Sequence, residues 1–268
     1  MSDILAKIVE DKKVEVEARQ RVVSLEEMKA RAKAESHPRN FFKAMTAKRD
    51  HVSVIAEVKK ASPSAGLIRE DFDPAAIAKN YEANGAAAIS CLTDEKYFQG
   101  DLSYIQRIRA EVDLPVLRKD FMIDEYQVWE ARAAGADAIL LIAECLEVPR
   151  LIDLMILATE LKMTTLLEVH DVESLLAVRP HVGFPHEKYM LLGINNRNLR
   201  EMKTDINHTI RLLDMVEQPE ILVSESGIRT HDDVVKLMNA GVTKVLVGEH
   251  LMRQGDEGKA LRKLIHGC

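Results

Sequence analysis

Cysteine is scarce in this chain: Cys91, Cys145 and Cys268 lie far apart and form no Cys-x-x-Cys pair. That excludes a disulfide framework. The 12 glycines make neither a G-x-G-x-x-G nor a G-x-x-x-x-G-K-[ST] stretch, so no dinucleotide fingerprint and no Walker loop is present. The 9 histidines are scattered, with no H-E-x-x-H and no pair at ligand spacing, and no metal or cofactor site is expected. No G-x-S-x-G nucleophile elbow occurs. A basic excess is missing too: 37 Lys and Arg stand against 43 Asp and Glu, a net charge of −6, which argues against a phosphate-backbone surface and a nucleic-acid partner. The longest unbroken apolar run, Ala138 to Ala143, falls far short of the ~20 residues that span a bilayer. The opening residues mix acid and base without an apolar signal core, so a cytoplasmic location is expected, with no membrane partner.

What is present is rhythm. From residue 52 the chain alternates short apolar, β-branched runs with amphipathic helical stretches. The runs are Val52–Val58, Ala86–Leu92, Pro115–Arg118, Ala138–Ile142, Thr164–Val169, Met190–Ile194, Ile221–Val223 and Lys244–Val247. They are continuous rather than alternating in polarity, as strands buried on both faces of a parallel sheet require. Helical patterns such as Pro74–Asn84, Glu125–Ala134, Val148–Leu161 and Asp232–Asn239 lie between them. Glycines 85, 135 and 241 each stand where a helix would close before a strand. Asp73-Pro74 reads as an N-cap with proline at the first helical position, and Thr230 with Asp233 as a capping box. Eight units of about 27 residues predict an α/β fold, the (β/α)8 TIM barrel. The competing doubly wound sheet stops at five or six strands and wants a glycine-rich first turn, which is absent.

Residues 1–50 break this rhythm and predict a helical extension packed on a barrel of residues 51–268, within one domain. Ile4, Leu5, Ile8 and Val9 form an apolar stripe ahead of a charge-rich stretch to Arg21. Ser24 with Glu27 caps a second helix to about Ala34. The extension is expected over the catalytic rim, with Arg39, Phe41 and Phe42 helping to exclude water, and removable without unfolding the barrel.

In such barrels the reacting groups project from the C-terminal strand ends. The first strand ends on Glu57, Lys59 and Ser62, the third on Lys119 and Phe121, and the fifth on Glu168 and His170. The sixth ends on Asn195 and Arg197, the seventh on Glu225, Ser226 and Gly227, and the eighth on Gly248 and Glu249. Charges directly after buried strands are costly unless paired or used. A purely structural ring of ion pairs gains little net energy, which favours a chemical use for Glu57, Lys59, Lys119, Glu168 and Glu225. The small residues ending the last two strands suit an anion, the usual phosphate position of these barrels.

The segment Val54–Ser64 (VIAEVKKASPS) resembles the signature of the indole-3-glycerol-phosphate synthase family. The likeness runs on through Leu92–Gly100, Leu117–Phe121, Leu167–His170, Gly193–Arg197, Ser224–Gly227 and Val247–Glu249, in order along the whole barrel. It implies a decarboxylating lyase of tryptophan biosynthesis, without cofactor or metal. The implied substrate is 1-(2-carboxyphenylamino)-1-deoxyribulose 5-phosphate, converted to indole-3-glycerol phosphate, carbon dioxide and water. By position, the resemblance implies Lys119 as the general acid of ring closure and Glu168 as the base of dehydration. Glu57 and Lys59 would be a second proton-transferring couple. Asn195 and Glu225 would orient the substrate, and Arg197 would neutralise acidic neighbours or the substrate carboxylate. Phe98 and Phe121 would line an apolar slot, and Ser62, Ser226, Gly227, Gly248 and the Glu249 backbone would hold substrate or phosphate. Ala61 and Glu249 depart from the basic and small residues of some relatives, and the Glu249 carboxylate is expected to point away from the phosphate.

A Schiff-base aldolase using Lys59 or Lys119 and a phosphate-binding sensor without activity are the competing functions. A monomer or weak homodimer is expected. Met28, Met45, Met122, Met155 and Met163 read as core. Trp129 reads as packing between barrel and helix, His170 as chiefly structural, and Cys268 as an exposed thiol.

Overall fold

A computed structural model describes residues 3–198 and 203–267; Cys268 lies outside them. Strands β1 Ser53–Val58, β2 Ala88–Leu92, β3 Val116–Lys119, β4 Ala138–Ile142, β5 Thr164–Val169, β6 Met190–Asn195, β7 Leu222–Glu225 and β8 Lys244–Val247 pair in parallel in chain order. β8 returns to β1 and closes the barrel. Every residue of β1, β2, β4, β5, β7 and β8 is buried, as the continuous apolar runs require of strands covered on both faces.

Local signals set the helices. Asp73 accepts from the Ala75 amide ahead of Pro74 and starts helix Pro74–Ala83, and reciprocal capping boxes start Glu125–Ala133 (on Asp124) and His231–Asn239 (on Thr230). Gly85, Gly135 and Gly241 take positive φ just past three of the helices, a conformation that costs glycine nothing. Helix Val148–Glu160 agrees with its sequence pattern to within one residue.

The extension is longer, and placed differently, than its sequence suggests. The apolar stripe and the charge-rich stretch form one helix, α1 Asp3–Val22, which at 1.5 Å per residue is about 30 Å long. Helix α2, Leu25–Ala34, packs on Glu125–Ala133, where Val16, Met28 and Tyr126 make a small second core. Trp129 joins that cluster, so it packs against the extension rather than the strands. A third helix, α3 Phe41–Thr46, reaches the N-terminal end of the barrel.

There Phe41 and Met45 are buried in the main core, and the Phe42 amide donates to Thr164 Oγ1 at the start of β5. The Arg39 guanidinium donates to the carbonyls of Val112 and Leu114 just ahead of β3, at 2.7 and 2.9 Å. Arg39, Phe41 and Phe42 therefore close the barrel floor, and their expected place over the catalytic rim is corrected. The reason is chain direction: β1 starts at the floor, so the residues just before it must lie there, and only α1 reaches the opposite end.

Candidate active site

Because all eight strands run parallel, their last residues arrive at one rim, where a cavity of about 440 Å³ opens. Glu57, Lys59, Phe98, Lys119, Phe121, Glu168, Asn195, Arg197, Glu225, Ser226, Gly227, Gly248 and Glu249 all line it. Ser62 does not: it is buried in the first loop, where its Oγ accepts from the Ala65 amide, and its neighbours Pro63 and Ser64 face the cavity instead. Ser62 thus holds its own turn by accepting, and its Oγ lies 3.5 Å from Ser64 Oγ at the cavity edge.

Register places the charges side by side. Lys119 ends β3, and its Nζ reaches across the barrel to Glu168 Oε2 at 3.0 Å and Glu225 Oε2 at 2.9 Å. Asn195, register partner of Glu225, donates to Glu168 Oε1 at 3.2 Å. Lys59 Nζ lies 2.6 Å from Glu57 Oε1.

Two glycines, Gly193 within β6 and Gly248 just after β8, make room for these carboxylates. A Cβ on Gly193 would fall 2.2 Å from Glu225 Oε1, and one on Gly248 2.2 Å from Glu57 Oε1. Gly248 thus serves the Glu57 carboxylate by close approach, apart from any part it plays in holding an anion.

Burial pushes the Lys119 ammonium toward neutrality, but Glu168, Glu225 and Glu57 outweigh it and hold the lysine charged. Burial and the Glu168 charge together push the Glu225 carboxyl up to about 8, so it carries a proton at neutral pH. Burial works the same way on Glu168, yet Lys119 and His170 win and keep it ionised. Three acids and bases in contact thus hold different protonation states, the pattern that acid–base chemistry needs.

His170 belongs to this cluster as well. Its Nε2 lies 3.2 Å from Glu168 Oε1 and its Nδ1 3.2 Å from Glu144 Oε2, and the side chain lines the cavity. Its position two residues after Glu168 on an extended strand was the sequence signal.

Along one side, Phe98 and Phe121 stand with ring centroids 6.2 Å apart. Ile4, Leu5 and Ile8 of α1 complete an apolar wall. Ser226 and Gly227 both take positive φ, of 67° and 82°, and share the cavity lining with Arg229, His250 and Arg253. Glu249 does not point away from this corner. It lines the cavity, neutralised by Arg253 Nε at 3.1 Å and Arg197 Nη2 at 3.3 Å.

Behind the aromatic wall runs a charge network that the sequence did not disclose. Lys12 of α1, 1% exposed, pairs with Asp94 at 2.9 Å and Asp120 at 2.8 Å. Arg118 pairs with Asp120 at 3.2 Å and Glu130 at 2.8 Å, and Arg19 of α1 pairs with Glu130 at 2.9 Å. Asp94 also accepts from the amides of Tyr97 and Phe98, which fixes the short helix that carries Phe98. Among the described residues no group of three or more His, Cys, Asp or Glu is placed to hold a metal ion, and no helix is long and apolar enough to cross a membrane.

A charged lysine set between carboxylates of unlike protonation, at the C-terminal rim of a (β/α)8 barrel, defines an enzyme of the barrel class that works by moving protons. Similarity to known proteins narrows the class. A family model described as indole-3-glycerol phosphate synthase matches residues 5–264, and the chain belongs to that family. It is 49% identical over 266 residues to the indole-3-glycerol phosphate synthase of Chromobacterium violaceum, covering 98% of each chain. Identity to the enzyme of that name from Rhodopirellula baltica is 52% over 224 residues, 84% of each chain. For Leptothrix cholodnii it is 50% over 267 residues, 98% of this chain and 99% of the relative. The solved thiamine phosphate pyrophosphorylase of Pyrococcus furiosus shares the fold, with a TM-score of 0.54 over 80% of this chain and 93% of its own, at 16% identity.

Proposed function

We propose that the cavity performs the indole-3-glycerol phosphate synthase reaction with the following division of labour. The carboxyphenylamino ring and its carboxylate lie against Phe98, Phe121 and the α1 wall, and the sugar phosphate lies at Ser226, Gly227 and Gly248. Lys119 gives its proton to the ketone oxygen as the aromatic carbon attacks the ketone carbon. The charge that builds on that oxygen is met by an ammonium already in place, with no reorganisation to pay at the moment of reaction. The apolar wall favours loss of carbon dioxide, because a carboxylate held without water is raised in energy relative to the neutral product. Lys59, held by Glu57, then protonates the leaving hydroxyl, and Glu168 takes the proton from the neighbouring methylene. Asn195 orients Glu168, and Glu225 steadies Lys119. Arg197, engaged by Glu249 in the free site, turns to the substrate carboxylate.

The observation that carries this reading is Lys119 held charged between Glu168 and Glu225 at the cavity wall. The same fact disfavours a Schiff-base aldolase, whose amine must be neutral to attack. The substrate is a phosphorylated small molecule. We further infer a cytoplasmic enzyme without nucleic-acid or membrane partners, monomeric or weakly dimeric. Mixing the protein with the carboxyphenylamino deoxyribulose phosphate is expected to give indole fluorescence, with no adduct trapped by borohydride. A flat trace from folded protein sinks the reading.

A further inference from the structure

The chemistry of this reaction leaves a proton debt. In ring closure the carbonyl π pair moves onto oxygen, which takes one proton. Carbon dioxide departs without a proton, leaving its bonding pair to restore the aromatic ring. The hydroxyl then leaves with its C–O pair and takes a second proton to become water. The methylene gives up one proton as its C–H pair forms the new double bond. Two protons are delivered and one is recovered, so each turnover consumes one proton from outside the substrate. That proton must be stored at a site that bound substrate and α1 cover.

We propose that His170, positioned by Glu144, is the reservoir that restores this proton to the Glu168–Lys119 cluster. The inference rests on the function proposed above. Its geometry is a relay held at both ends: Nδ1 is fixed on Glu144 Oε2 at 3.2 Å, which leaves the Nε2 proton facing Glu168 Oε1 at 3.2 Å. Glu144 is itself placed by accepting the His170 amide at 2.8 Å, and His208 Nε2 meets the His170 carbonyl at 2.9 Å, so the ring is aimed by its own backbone. The groups that bear on its charge are Glu144 after β4 and the coupled carboxyls Glu168 on β5 and Glu225 on β7; the charge of Glu144 and the one the pair carries favour the imidazolium over the neutral ring, against the cost of burial. The trigger is electrostatic. Once Lys119 has given its proton away, the cation that held Glu168 ionised is gone and Glu168 becomes more basic; the Glu225 proton can only redistribute inside the cluster, and the proton that enters it from outside comes from His170. Nε2 gives its proton to Glu168 at Oε1, and Glu168 passes a proton from Oε2 to the Lys119 amine, so Lys119 is charged again and Glu168 is ionised in time to take the methylene proton. Solvent recharges the imidazole when product leaves, since His170 lines the cavity.

The test is the pH dependence of kcat, read by indole fluorescence, in wild type, His170→Asn and Glu144→Gln. Wild type is expected to lose rate on an alkaline limb where the imidazolium titrates. His170→Asn should lose that limb and turn over about tenfold more slowly at neutral pH, less than the 10²–10⁴-fold of a direct general acid. It should regain rate as imidazole buffer is added, with KM unchanged. Glu144→Gln keeps a hydrogen-bond acceptor but removes a charge, so the limb should move to lower pH. Wild-type kcat and an unchanged limb in His170→Asn overturn the inference. So does a slowed variant that imidazole does not restore. If His170→Asn does not fold, an unmoved limb in Glu144→Gln overturns it instead. No indole from wild type sinks the proposed function together with the inference; the other negative results sink the inference alone.

Discussion

Two clusters of buried charge meet at the same rim, one inside the barrel and one between the barrel and α1, and both are built from ion pairs of similar length. Inside, Lys119 faces two carboxyls at 3.0 and 2.9 Å, and those carboxyls, Glu168 and Glu225, also bond to each other. Outside, Lys12, Asp120, Arg118, Glu130 and Arg19 alternate in sign along the chain of contacts. The inner cluster has more carboxyl than ammonium and keeps a proton to settle the difference, which makes its protonation responsive to a ligand. In the outer network every carboxylate is met by a Lys or Arg, Arg118 and Lys12 hold Asp120 firmly ionised against its burial, and Asp120 is its one member in the cavity lining. A carboxyl left able to hold a proton beside a cavity is the mark of chemistry; carboxylates locked as ions by the cations around them are the mark of a fastening.

That contrast can be broken from either side. The largest effect is expected from deleting residues 1–46, which removes the α1 side of the outer network and also Phe41 and Met45 from the core. Losing one buried Phe costs about 3–5 kcal/mol and one buried Met about 2–5 kcal/mol. The truncated chain should lose its barrel circular dichroism, contrary to the expectation from sequence. A folded truncation would mean that the floor closes without α3.

Lys119→Ala should lower kcat by about 10²–10⁴-fold while the urea midpoint stays within a few tenths molar. The carboxyls it exposes face an open cavity and can take up a second proton. Lys119→Arg should not rescue, because a guanidinium is too weak an acid and presents a wider fork. A variant with half the normal kcat would remove Lys119 from the chemistry.

Gly248→Asp sharpens the comparison inside the cavity. From sequence the substitution reads as charge against the phosphate, raising KM far more than it lowers kcat. In the structure any side chain there strikes the Glu57 carboxylate, so kcat should fall as well, by about 10²-fold, the cost of misplacing a reacting group by an ångström. Steady-state kinetics of Gly248→Ala, which adds no charge, separates the two causes: an unchanged kcat would leave only the phosphate explanation.

The smallest effect on turnover is expected from Lys12→Met. It strands Asp94 and Asp120 as buried, uncompensated charges and should cost about 3–5 kcal/mol in urea unfolding. At temperatures where the protein stays folded, kcat should change by only a few-fold. A large loss of kcat with little loss of stability would place Lys12 in the inner group and dissolve the distinction.

Much of this was legible along the chain. The runs at Ala138–Ile142, Thr164–Val169 and Lys244–Val247 coincide with strands, because buried parallel strands have few ways to look. The run beginning at Ala86 starts two residues before its strand, since Ala86 and Ala87 are buried without being paired in it. The short helices Phe41–Thr46 and Glu95–Phe98 escaped notice because one or two turns leave no periodicity to read. Lys12 was hidden in plain composition. Its place, four residues after Ile8 and four before Val16, puts it on the buried face of α1, a signal available from spacing but outweighed by the charge around it.

The sequence by itself determined the barrel, the rim on which the functional side chains stand, and the family, because strand burial, capping and motif order are local properties of the chain. Only the tertiary structure decided which charge meets which. Lys119 and Glu225 are 106 residues apart, Lys12 and Asp120 more than a hundred, and Glu144 and His170 are joined across neighbouring strand ends. No local preference encodes those distances. They follow from barrel closure and register, which bring residues far apart in the chain to within hydrogen-bonding reach, where burial and neighbouring charge then set the protonation of each.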